Sequence, residues 1–307
     1  MTVWMNTPKL PPLRWSDPYP IFNRLAIETS SRCNRECSFC PVSTGRRDYP
    51  NVFMRPTLFE SICSQLEALR WDGFIEFFLL NEPLLDPGIR DKARRLRAAT
   101  PKSTIYVSTN GDALGKSLDV ALQRLETLYD SGVNSVNLNI YDSGEAQAAY
   151  YRTLADEAVR FGIARKNDGK YRRVPISARA LHVSDMRLDR TTAERSDLLF
   201  IKTKENRVAD APEAYCARPH RHLLIRYDGK VPLCCAIDPT APDATIVGDA
   251  NVDPLVKIWN AKTLQKHRFF LQDGKRSALP DCRTCHQRMA YAHIVRRLLP
   301  ERERSSK

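Results

Sequence analysis

Along the first two-thirds of the chain, short apolar runs alternate with stretches in which apolar residues recur every three or four positions. Arg24–Ser30, Phe74–Leu80, Thr104–Ser108, Val133–Tyr141 and Val174–Val183 are rich in β-branched and aromatic residues and read as strands. Between them, Thr57–Leu69 places Leu58, Ile62, Leu66 and Leu69 on one helical face, with Thr57 as the N-cap candidate. Leu118–Tyr129 and Glu145–Phe161 carry the same period. Pro83, Pro87 and the pair Asn110-Gly111 punctuate the strand ends, where loops carry chemistry.

Strands alternating with helices argue for a parallel sheet with crossover connections. The expected fold class is α/β, a partial (β/α)6 TIM-like barrel whose sixth strand the pattern does not place. After about residue 185 the pattern changes. A polar stretch runs to Asp210 and reads as a linker or substrate-facing loop. His222–Tyr227, the turn Asp228-Gly229 and Val231–Cys235 then read as a β-hairpin, and a helix is expected from about Pro254 to Leu271. The expected organisation is a Pro-rich extension over 1–22, a barrel over 23–210, a small α+β domain over 211–290 and a basic tail over 291–307.

Composition narrows the function classes. No apolar run approaches the roughly 20 residues that span a bilayer, and the N-terminus lacks a secretory pattern, so no membrane partner and a cytoplasmic location are expected. The formal charge is +12, yet no basic stripe interleaved with aromatics appears, which argues against nucleic acid as partner. A polar or anionic small molecule remains compatible; Arg172, Arg173, Arg218 and Arg221 could hold it, or be ordinary solvated charges. The nine cysteines are clustered, and in a reducing compartment clustered thiols point to metal or redox chemistry.

Cys33, Cys37 and Cys40 stand in a C-x3-C-x2-C spacing directly after the first expected strand. A cuboidal iron–sulfur cluster usually takes four cysteine ligands. Three thiols with no nearby fourth leave one iron open to another ligand. Zinc prefers a closed tetrahedron from paired CxxC units, which fits this spacing poorly.

The spacing, its place after strand one and Phe39 before the last cysteine resemble the radical S-adenosylmethionine (SAM) superfamily. The resemblance implies a 4Fe–4S cluster whose open iron chelates SAM, and a 5′-deoxyadenosyl radical made by reductive cleavage. It also implies an external one-electron donor such as flavodoxin or ferredoxin. Further stretches match the family's SAM-binding pattern in order. Leu80-Asn81-Glu82-Pro83 follows strand two, where Glu82 would accept a hydrogen bond from the SAM amino group, and Asn81 stands where the family has glycine. Ser108 and Asn110 follow strand three; Asn137 and Asn139 share one face of strand four; Ser177 and Arg179 share one face of strand five. Arg179 could pair with the SAM carboxylate. Each of these positions also has an ordinary structural reading, as a turn or a satisfied interior polar group.

The later cysteines resemble the twitch domain, a shortened relative of the SPASM auxiliary-cluster domain. The matching text is Cys216-Ala-Arg-Pro, Asp228-Gly-Lys-Val-Pro-Leu-Cys-Cys, Gly248-Asp, Ile258-Trp-Asn and Cys282-x2-Cys285. Cys216, Cys234, Cys282 and Cys285 are the implied ligands of a second, auxiliary 4Fe–4S cluster; a four-thiolate zinc ribbon is the alternative. Cys235 should point away from Cys234 along a strand and is the candidate hydrogen-atom donor, whereas Cys63 reads as a small buried apolar residue. His220, His222 and His286 read as surface residues.

The resemblance implies an oxidoreductase or epimerase. It would abstract hydrogen from a sugar, aminocyclitol or nucleoside in specialised-metabolite (antibiotic) biosynthesis. Two alternatives are a peptide maturase of the same superfamily and a zinc-containing nucleic-acid-binding protein.

Overall fold

The computed structural model describes residues 21–37, 40, 51–141, 144–166, 177–185, 216–235, 244–283 and 285. Its centre is a seven-stranded parallel sheet. The strands are β1 (Arg24–Ile27), β2 (Phe74–Phe77), β3 (Thr104–Thr109), β4 (Ser135–Ile140), β5 (Ala164–Lys166), β6 (Ala180–Asp185) and β7 (His222–Ile225), in the order β5-β6-β4-β3-β2-β1-β7. Four helices cross between strands: α1 (Pro56–Ala68), α2 (Ile89–Ala99), α3 (Leu118–Asp130) and α4 (Glu145–Arg160). The expected α/β sheet is present.

Register fixes what each face carries. Ile27, Phe77, Val107, Leu138 and Leu181 lie on one face and join a single core with Leu58, Ile62, Leu96, Leu125, Leu154 and other helix residues. Alternate positions, which the pleat sends to the other face, are largely polar: Glu76, Tyr106, Ser108, Asn137, Asn139, His182 and His222. Most of these are buried too, so the polar face is enclosed by protein.

Three expected details differ. Pro56 opens α1 with Arg55 at the N-cap, so Thr57 lies inside the helix; proline suits the first turn because its missing N–H has no partner there in any case. The expected helix over 254–271 is two, α5 (Leu255–Trp259) and α6 (Lys262–Gln272), broken at Asn260-Ala261. The hairpin survives only as its turn. Arg226 N–H donates to the Lys230 carbonyl at 2.9 Å, and Gly229 takes φ +87°, which glycine adopts without strain. Its two arms then part. β7 pairs in parallel with β1, and β8 (Lys230–Pro232) pairs antiparallel with β9 (Ile246–Asp249). The four residues of β7, His-Leu-Leu-Ile, are all buried, a pattern suited to a strand covered on both faces.

The later segment therefore packs on the sheet without a break. Trp259 is fully buried against Phe22, with ring centroids 5.5 Å apart, and the Leu255 N–H donates to Gln65 Oε1 at 2.7 Å. A short helix, α7 (Pro280–Arg283), carries Cys282. No helix among the described residues is long and apolar enough to cross a membrane.

Candidate active site

The loop leaving β1 carries the first thiols. Cys37 is buried, Cys33 and Cys40 are half-buried, and the Cys40 N–H donates to the Cys37 carbonyl at 2.9 Å. The loop's base is a short antiparallel contact, in which Ser31 N–H donates to Val52 O and Met54 N–H to Thr29 O. Its crown is clamped to the turn after β3. Arg35 grips Asp112 with Nε 2.8 Å from Oδ2 and Nη2 2.6 Å from Oδ1, a two-pronged charge-assisted contact. Asn34 bonds both Asp112 and Asn110, at 3.1 and 2.9 Å. Sequence reasoning passed over Arg35 and Asp112; a cation two residues after the first cysteine was the available signal.

Glu82 joins this loop to two others. Its backbone N–H donates to Arg32 O, Oε1 accepts from the Leu84 N–H and the Thr109 hydroxyl, and Oε2 accepts from the Asn110 N–H at 2.7 Å. A carboxylate has about four lone-pair sites, so three donors leave one for a ligand. Burial pushes the Glu82 carboxyl up to about 7, against the pull of those donors. Burial also pushes the Cys33 thiol up to about 11, with Glu82 and Cys40 adding to it. The turn itself needs glycine: Gly111 sits at φ +78°, and a Cβ there would lie 2.4 Å from the Tyr151 hydroxyl, which donates to Asn110 O.

Of the other expected SAM contacts, three come together on the polar face. Asn137 donates to Asn139 Oδ1 at 2.7 Å, Asn139 donates to Ser108 Oγ at 2.9 Å, and the Ser184 hydroxyl donates to Asn137 Oδ1 at 2.8 Å. Ser177 and Arg179 do not join them. β6 begins only at Ala180, so both precede the strand, at its amino end. There Ser177 is exposed, and Arg179 pairs with Asp130 at 2.7 Å beside the Tyr129 ring. The expected strand opens at Val174, six residues ahead of β6, and His182 and Ser184 hold the positions on the polar face instead. Phe39 and His286 lie outside the described residues, as does the stretch over 186–215.

The second set of thiols comes from three segments. Cys216 precedes a turn into β7, Cys234 follows β8, and Cys282 and Cys285 close α7 in a turn with Cys285 N–H donating to Cys282 O. All four are half-buried. Burial pushes the thiols of Cys216, Cys234 and Cys282 up, and each feels at least one other member of the set. Cys234 and Cys235 both lie beyond β8, outside any strand, so alternation does not set their directions, and both act on Arg218. The Cys235 sulfur accepts from the Arg218 guanidinium and bonds His222; against the effect of burial, these two bring it down to about 7. His220 and His222 are buried, which corrects their expected place on the surface. His222 Nε2 lies 3.4 Å from Glu76 Oε2, and Glu76 also binds Arg24. Burial would raise the Glu76 carboxyl, but Arg24 and His222 hold it down at about 2. Cys63 is fully buried in the α1 core, with burial pushing its thiol up to about 12.

The donor chemistry fits iron–sulfur groups. A structural zinc ion takes a closed set of four ligands, and the first loop supplies three thiols. Three thiols on one loop and four from three segments suit wider, multi-iron cores.

A parallel α/β sheet with a three-thiol loop at the carboxyl end of its first strand and a later four-thiol set defines a class of iron–sulfur proteins. Residues 27–159 match the family model of the radical SAM superfamily, and residues 216–286 match that of SPASM, an iron–sulfur cluster-binding domain. Residues 27–159 thus carry a radical SAM domain, and a C-terminal auxiliary-cluster domain follows it. The first brings SAM with a 4Fe–4S cluster, and the second brings auxiliary iron–sulfur. Over 113 residues the chain is 31% identical to the S-adenosyl-L-methionine-dependent 2-deoxy-scyllo-inosamine dehydrogenase of Niallia circulans; the match covers 37% of this chain and 42% of that relative's length. The fold is shared with solved structures of BtrN. In complex with AdoMet and 2-DOIA, BtrN superposes with a TM-score of 0.65 at 20% identity, covering 89% of this chain and 98% of BtrN. Selenomethionine BtrN in an open conformation gives 0.58 at 18% identity, covering 87% and 94%.

Proposed function

We propose that the protein is a radical SAM oxidoreductase that oxidises a hydroxyl of a polar small molecule, of aminocyclitol class, to a carbonyl. The observation that carries this reading is a second set of four thiols, drawn from three segments, in addition to the three on the loop after β1. Removing one hydrogen atom from an alcohol carbon oxidises it only halfway. The remaining step releases the hydroxyl proton to water and needs an acceptor for one electron. When bound, SAM and the first cluster supply the radical that takes the hydrogen atom, and the auxiliary cluster takes up the electron. The relative's printed activity, dehydrogenation of 2-deoxy-scyllo-inosamine, supports the substrate class.

In this reading the chain's own residues position and enclose. Cys33, Cys37 and Cys40 ligate the first cluster, and Cys216, Cys234, Cys282 and Cys285 the second. Glu82 offers its remaining lone pair to the SAM ammonium. The amide row Asn137–Asn139 with Ser108 presents hydrogen-bonding groups on the enclosed polar face, where low polarity strengthens each contact. The first electron comes from an external carrier of flavodoxin or ferredoxin type.

The alternative outcome, epimerisation with Cys235 returning a hydrogen atom, is separated by the same experiment. Reconstituted protein, SAM, reductant and 2-deoxy-scyllo-inosamine are incubated in deuterium oxide. Ketone equal in amount to 5′-deoxyadenosine, with no deuterium on carbon in recovered substrate, is expected. Deuterated, unoxidised product would overturn the oxidation reading.

A further inference from the structure

Two arginines stand at the second thiol set. Arg218 lies two residues after Cys216 and donates to the sulfur of Cys235, next to Cys234; its Nε is shut off from solvent. Arg276, only 2% exposed, donates to the carbonyl of Cys285. Arg218 interacts electrostatically with Cys216, Cys234 and Cys285, and Arg276 with Cys216 and Cys282. Among the described residues an opposing charge is Asp281, beside Cys282, which accepts from the Thr245 hydroxyl at 2.7 Å and lies 3.3 Å from His267. Thus two guanidiniums, which stay charged at any working pH, stand at this set, and the carboxylate next to Cys282 is itself paired.

A cluster ligated by four thiolates is an anion, and taking up an electron makes it more so. Its reduction potential follows the charges and hydrogen bonds around it. Burial penalises added negative charge, and a fixed cation close by offsets that penalty. At the first set, among the described residues, buried Glu82 adds negative charge beside Cys33, and Arg35, which also acts on Cys33 and Cys37, is bound to Asp112.

We propose that Arg218 and Arg276 are tuning residues that raise the reduction potential of the cluster held by Cys216, Cys234, Cys282 and Cys285, fitting it to accept an electron. The proposal rests on the auxiliary-cluster reading above. It concerns the charge of the two side chains, beyond the hold of Arg276 on the Cys285 backbone.

The test uses the full chain with Cys33, Cys37 and Cys40 replaced by alanine, reconstituted anaerobically with iron and sulfide, so that one cluster remains. Its midpoint is read by potentiometric titration with electron paramagnetic resonance. Arg218→Gln and Arg276→Gln should each weaken electron uptake about tenfold, a fall of about 59 mV for a one-electron couple. Arg218→Lys and Arg276→Lys should stay near the parent. Asp281→Asn, which removes the opposing charge, should raise the midpoint, and it decides the matter if a glutamine variant loads no iron. Unchanged midpoints in the glutamine variants, equal shifts for lysine and glutamine, or an unchanged midpoint in Asp281→Asn would overturn the proposal. A parent chain that binds no iron on the four thiols of the second set would instead refute the cluster reading.

Discussion

The two thiol sets are built in opposite ways. Cys33, Cys37 and Cys40 occupy one loop, clamped from outside by Arg35–Asp112 and with buried Glu82 beside it. Cys216, Cys234, Cys282 and Cys285 arrive from three segments, with buried arginine charge around them. The difference follows from what each must hold. In the proposed function the first set leaves a metal vertex open to a ligand that brings its own positive charge, so a carboxylate beside it is useful. In the same proposal the second is closed by protein thiolates, so any compensating charge must come from the chain.

The largest effect that tests this contrast comes from removing each set in turn. Replacing Cys33, Cys37 and Cys40 by alanine should abolish 5′-deoxyadenosine formation under strong reductant, read by chromatography. Replacing Cys282 and Cys285 should leave 5′-deoxyadenosine but no carbonyl product. If both variants behave alike, the division of labour is wrong.

Next come the two carboxylates. Glu76→Gln removes the partner of Arg24 and should cost about 3 kcal/mol at neutral pH, read from urea midpoints. Glu76 is held near 2 in the fold against an ordinary 4.5, so its stabilisation is present above pH 4.5 and lost as pH falls towards 2. Glu82 has the reverse sign. Raised to about 7, it stabilises fully below pH 4.5 and loses that contribution as pH rises through 7. In metal-free protein, Glu82→Gln should flatten the decline between pH 4.5 and 7 and leave the acid limb intact.

Arg35→Ala should cost about 1–2 kcal/mol through the lost fork, and iron analysis should show loss from the first set ahead of the second. The smallest change is Arg179→Ala. Its partly exposed pair with Asp130 predicts a shift within about 0.5 kcal/mol, and unaltered SAM affinity by calorimetry.

How much was legible in the sequence follows the same division. The first thiol loop could be read because its cysteines are local, and β2, β3 and β4 because each carries aliphatic or aromatic residues at alternate positions between turn signals. β7 was assigned to a hairpin because antiparallel neighbours are the usual partners of short strands joined by Asp-Gly, and nothing within four residues reveals a partner almost 200 residues earlier. Arg179 was misplaced because a strand start cannot be fixed by alternation when the residues before it also alternate. Glu76, Arg24 and His222 were passed over for a related reason. Charged residues inside strands read as solvent-facing until register shows three of them converging from three strands.

The pairing of β7 with β1 has a consequence for how the molecule can be cut or recombined. The auxiliary-cluster segment is no bead on a string: its first strand is the sheet's own border. Ending the chain before residue 216 would strip the hydrogen-bonding flank of Arg24–Ile27 and leave an apolar, open ladder inviting self-association. Grafting this segment onto another barrel would succeed only if the recipient's opening strand offered the same bare side.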